Sequence, residues 1–170
     1  MSQLQPAVVD INVLVAAVAG GNDAFHSWPS PPPVRGNPAA GVVGILNDAR
    51  EFALFVSPHV LVNTVRVLTG APPDGFGWSA LYAQRYVEVL AAIARASGGE
   101  VIEPSVAVTD CPDHEDNRIL ECALACSAVL LVSDDGHLLR LSPWRGTAVV
   151  TSTEFVGRVD AARRAGRRRK

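Results

Sequence analysis

The sequence predicts an α/β domain: a three-layer α/β/α sandwich whose central sheet is mainly parallel. Three observations carry that prediction. Apolar runs of strand length alternate with apolar or amphipathic runs of helix length along the chain. The strand-length runs "AVVD", "EFALFVS" and "AVLLVS" are near-continuously apolar, as strands covered on both faces are. At 170 residues and 48% apolar composition the chain suits one domain with a proper core, and it shows no internal repeat.

The elements follow in order. "AVVD" (7–10) reads as a buried strand and "INVLVAAVA" (11–19) as the helix after it. Residues 20–36 are rich in Gly and Pro and read as loop, with "PSPPP" a stiff surface insertion rather than a proline-recognition ligand. "NPAAGVVGILND" (37–48) restarts a helix, with Asn37 as N-cap and Pro38 at the first helical position. "EFALFVS" (51–57) is a second strand, and residues 58–68 form a helix that begins at Pro58. A turn-rich "TGAPPDGFG" leads to a long amphipathic helix over 78–97 and a short strand at "GEVIEP". A helix over 113–127 and a strand over 128–133 come next. A short helix at "DGHLLRL", a last strand at "TAVVTS" and a helix from Thr153 complete the chain.

Composition excludes several function classes. No apolar run reaches the roughly 18 residues a membrane span needs. "MSQLQPAVVD" lacks a positive region followed by an apolar one, so it does not read as a signal peptide, and a cytoplasmic protein is expected. Cys111, Cys122 and Cys126 lack the further ligands a zinc site would want and read as reduced packing residues. The net charge of −2 hides an asymmetry. The last eight residues, "RRAGRRRK", hold six of the fifteen basic groups, leaving nine against seventeen acids over residues 1–162. The sequence therefore divides into a domain over 1–162 and a basic tail over 163–170. The tail residues Arg163, Arg164, Arg167, Arg168, Arg169 and Lys170 are weak RNA-binding candidates, or else a frayed solubilising terminus.

Open parallel sheets place ligands beyond the carboxyl ends of their strands. Asp10 ends the first strand, and Asp134 and Asp135 follow "AVLLVS". "DCPDHED" adds Asp110, Asp113, Glu115 and Asp116 at the start of a helix. Singly, Asp10, Asp113 and Asp135 are explained as N-caps worth about 0.5–2 kcal/mol each. Caps alone do not require three segments to deliver acids to one edge. Clustered carboxylates repel, so they share protons or bind a cation, and oxygen donors suit Mg²⁺ or Mn²⁺. Phosphoaspartate chemistry is disfavoured, because the one lysine, Lys170, sits in the tail.

Three blocks carry a family resemblance. "VVDINVLVAA", "FVSPHVLVNTVRVL" and "DHEDNRILECALACSAVLLVSDDGHLLRL" resemble the motifs of the PIN domain nucleases, which include VapC-like toxins of bacterial toxin–antitoxin pairs. The resemblance implies that Asp10, Asp116 and Asp135 hold a catalytic Mg²⁺ or Mn²⁺, with Asn12, Asn117 and Ser133 holding the site's geometry. Asp135 fits the motif's spacing better than Asp134. One departure stands out: the family's second-block glutamate falls on Asn63, which offers an oxygen but no charge. His137 stands where the family often has another acid and reads as a surface residue. The implied activity is metal-dependent endonucleolytic hydrolysis of RNA, single-stranded at the cut, with a cognate antitoxin protein and a homodimer as implied partners; Asn63 leaves open an RNA- or partner-binding relative with weak or no cleavage.

Overall fold

The computed structural model describes residues 3–19, 28 and 36–168. Ala7, Val8 and Val9 carry no polar group to compete with the backbone, and the two valines are β-branched, so they suit a strand buried on both faces. They lie in β1 (Gln5–Val9), which is followed by α1 (Ile11–Ala16) and α2 (Pro38–Asp48). Next come β2 (Phe52–Val56), α3 (Pro58–Thr69), α4 (Ala80–Ala96) and β3 (Glu100–Val101). The chain continues through α5 (His114–Ala125), β4 (Leu130–Val132), α6 (Gly136–Leu139), β5 (Ala148–Val150) and α7 (Ser152–Arg168). The sheet order is β3-β2-β1-β4-β5 and every pairing is parallel, so the expected α/β architecture holds.

Local chemistry sets the helix starts as expected. The Asn37 side chain accepts from the backbone N–H of Ala39 and Ala40, with Pro38 in the first turn. Ser57 caps α3 and Ser79 caps α4 through the amides of Val60 and Tyr82. The core is built of small side chains with a few leucines between them. Its largest fully buried member, Tyr86, donates its hydroxyl to the Leu14 carbonyl at 2.6 Å. No helix among the described residues is long and apolar enough to cross a membrane. The loop expected over 20–36 lies largely outside the described residues, as do Arg169 and Lys170.

Residue 162 lies inside α7, which runs on to Arg168. Arg163 is held against the rest of the domain. Its guanidinium pairs with Asp48 at 2.9 Å and Glu51 at 2.8 Å, and only 9% of its side chain is exposed. That fork pins α7 beside the start of β2, at the amino edge of the sheet. Arg164 pairs with Asp160 at 2.9 Å one turn back. Arg167 and Arg168 are exposed on the last turn. The basic turns therefore sit at the opposite edge of the sheet from the carboxyl ends of its strands.

Candidate active site

All five strands point their carboxyl ends at one edge, and β1 lies between β2 and β4, where the chain's path across the sheet reverses. Such a switch point leaves a crevice at the strand ends. Val9 pairs with Val132, so residues 10 and 133 leave the sheet side by side, and the Asp10 amide donates to the Val132 carbonyl at 2.9 Å. Asp10 is also the N-cap of α1: its Oδ1 accepts from the Ile11 amide at 2.7 Å. Its Oδ2 accepts from the Ser133 hydroxyl at 2.7 Å, and that hydroxyl accepts from the Asp135 amide at 3.0 Å. One buried serine thus ties the ends of two strands together.

Asp116 arrives from a third segment, the first turn of α5. Asn117 beside it clasps the backbone of Cys111, accepting from its amide and donating to its carbonyl, both at 2.8 Å. The Cys111 thiol then donates to Asp116 Oδ2 at 3.3 Å. Asp10, Asn12, Asn63, Asp116 and Asp135 all line one cleft of about 520 Å³, while Ser133 and Asn117 lie behind it. Asn12 lines the cleft without a side-chain hydrogen bond among the described residues, so Ser133 and Asn117 do the fastening there.

The other acids of the sequence are committed elsewhere. Asp110 accepts from Trp144 Nε1 at 2.7 Å and from Arg145. Asp113 caps α5 through the Glu115 amide. Asp134 turns to Ser152 and accepts from its amide and hydroxyl, which fixes the start of α7. Glu115 lines the cleft but is held by His59 at 2.9 Å.

Burial pushes the Asp10 carboxyl from 3.8 up to about 6 against the lowering effect of Ser133 and Ile11, and the charges of Asp116 and Asp135 add to the rise. Asp116 is raised too, first by burial and then by Asp135 and Asp113. Both groups resist ionising together, and a cation among them would remove that cost. One ligand atom each from Asp116, Asp135 and His137 lies within 4.8 Å of the others. Each Asp10 oxygen accepts one hydrogen bond and keeps a lone pair free. Carboxylate oxygens with one imidazole fit Mg²⁺ or Mn²⁺.

A family model described as PIN domain matches residues 6–137. The chain belongs to the PIN domain family. Neither a curated protein nor a solved structure matches it. PIN domains are generally nucleases and generally use divalent metal ions. The matched span of this PIN domain takes in Asp10, Asn63, Asp116 and Asp135, and it ends before β5 and α7.

Two contacts beside the carboxylates of this PIN domain were not read from the sequence. His137 is 59% exposed along its side chain, yet its Nδ1 stands 3.8 Å from both Asp116 Oδ2 and Asp135 Oδ1. The signal was its place two residues after Asp135, in the first turn of a short helix. Arg66 is the second: it lines the cleft, and its Nε donates to Asn63 Oδ1 at 2.9 Å. Asn63 in turn donates to the His59 carbonyl at 2.9 Å. The spacing of three residues on α3 was the available sign of that contact.

Proposed function

We propose that this PIN domain is a Mg²⁺- or Mn²⁺-dependent endoribonuclease acting in the cytoplasm as the toxin of a toxin–antitoxin pair. Asp10, Asp116 and Asp135 are the ligands in this reading. One observation carries it: carboxylates from three separate segments converge on one cleft, at an electrostatic cost that a bound cation removes. When bound, the ion supplies an activated water nucleophile and charge stabilisation at the phosphodiester. Ser133 sets the spacing of Asp10 and Asp135, and Cys111, clasped by Asn117, orients Asp116. The motif resemblance supports RNA as substrate, a cognate antitoxin as partner and a homodimer as the assembly.

A specific observation favours a second reading, an RNA- or partner-binding protein with weak or no nuclease activity. Asn63 Oδ1 is occupied by Arg66, so position 63 brings a cation to the cleft where the family brings an acid. The test is cleavage of a labelled single-stranded RNA pool with Mg²⁺, Mn²⁺ or chelator. Internal cuts are expected with metal and none with chelator. Asp116→Asn is expected to lower the rate by about a hundredfold or more, since perturbing even an outer partner of a metal ligand costs 10–100-fold. RNA that binds but is cut under no condition would select the second reading.

A further inference from the structure

The carboxylates share the cleft's wall with apolar side chains, among them Val15, Ala16, Ala19, Val67, Ile119 and Phe76. Phe76 is 44% exposed, which leaves a face of its ring open at the cleft. Its loop is nonetheless tightly fastened. Gly75 donates to the Ala71 carbonyl at 3.0 Å, Gly77 to Gly70 at 2.8 Å and Trp78 to Leu68 at 2.9 Å. A Cβ on Gly75 would lie 2.3 Å from the Gly70 carbonyl oxygen, so only glycine allows this close approach. The ring is therefore presented from a fixed platform at small ordering cost.

Arg66 completes the wall. Asn63 holds its Nε, and its two terminal nitrogens have no partner among the described residues. A glutamate at position 63 would orient the same guanidinium but neutralise it; the amide orients it and leaves the charge available. We infer that this wall is a subsite for one unpaired nucleotide of the RNA, with Phe76 stacking on the base and Arg66 binding an adjoining phosphate. The inference rests on the nuclease reading for its choice of ligand. A base offers a flat π-face to an aromatic ring and an apolar slot, and a phosphate pairs with a guanidinium fork. The apolar side chains of the wall suit a base, the carboxylates repel the backbone, and Arg66 offsets that repulsion.

The test is fluorescence anisotropy of a labelled single-stranded RNA of about ten nucleotides. It is run over a salt series in Mg²⁺ on the full chain carrying Asp116→Asn. Phe76→Ala is expected to weaken binding by about tenfold with the salt slope unchanged, and Phe76→Tyr to retain it. Arg66→Gln is expected to weaken binding and lower the slope by about 0.7, one single-strand phosphate contact. A blunt duplex of the same sequence should ignore Phe76→Ala. The subsite is overturned if Phe76→Ala binds within about twofold of its parent or weakens duplex and single strand alike. An unchanged salt slope in Arg66→Gln overturns it as well. Cleavage by the unmodified chain reports separately on the nuclease reading: loss of stacking with cleavage intact removes only the subsite, and stacking without any cleavage removes only the nuclease.

Discussion

Asp10→Asn is expected to stabilise the metal-free protein at pH 7 by about 3 kcal/mol at most, less the one hydrogen bond its amide cannot accept, while removing most of the stabilisation by Mn²⁺. The sign follows from the direction of the shift. An acid whose carboxyl titrates near 6 when folded and 3.8 otherwise keeps its proton in the folded chain after the unfolded chain has released it. Stability from this group is therefore full below pH 3.8, falls as pH climbs to about 6, and stays low above. The shift corresponds to about 3 kcal/mol at 1.36 kcal/mol per unit. Urea unfolding in chelator from acid to neutral pH checks this: the wild-type decline should be largely lost in Asp10→Asn, with a remainder from Asp116. Metal at ~100 Kd should add about 2.7 kcal/mol to the wild type and far less to the variant. Parallel curves for the two proteins would mean that Asp10 is not the strained group.

Asn63→Glu is expected to split metal binding from RNA binding. Position 63 lines the cleft that Asp10, Asp116 and Asp135 line, so a carboxylate there adds a charged oxygen donor. Mn²⁺ affinity should rise on the order of tenfold, as ligand charge count tunes such sites. In chelator the added negative charge should lower stability, although pairing with Arg66 softens the effect. The same pairing neutralises Arg66, so affinity for single-stranded RNA should fall even as metal affinity climbs. Asn63→Glu with Arg66→Gln should keep the gain in metal affinity and show the larger loss of stability in chelator. Metal titration and RNA anisotropy on the two variants check these points. If neither quantity moves, the side chain at 63 acts on neither ligand.

The fold was legible because its signals are local and consistent. Apolar runs gave four of the five strands, and Asn37–Pro38, Pro58 and Asp113 gave helix starts within a residue. The strand ends of β1 and β4 were also readable, since an apolar run that stops at an acid marks both the edge and the residue on it. Residue type alone does not show how neighbouring acids divide their partners. Asp134 and Asp135 are alike, and only the motif spacing favoured Asp135; Asp134 serves Ser152 and Asp135 opens α6 at the cleft. The basic terminus read as a tail because its charges are contiguous; the pairing of Arg163 with Glu51 and Asp48, more than a hundred residues away, is a contact the sequence does not display. His137 and Arg66 escaped for the same reason, as their importance lies in contacts across elements.

Calorimetric titration of Mn²⁺ into the wild-type chain and into Asp10→Asn, Asp116→Asn and Asp135→Asn tests most directly whether the three carboxylates form one cation site. Saturable binding is expected in the wild type, weakened by about tenfold or more in each of the three variants. Mn²⁺ binding that is absent from the wild type, or equal in all four proteins, would contradict a metal centre at this edge of the sheet.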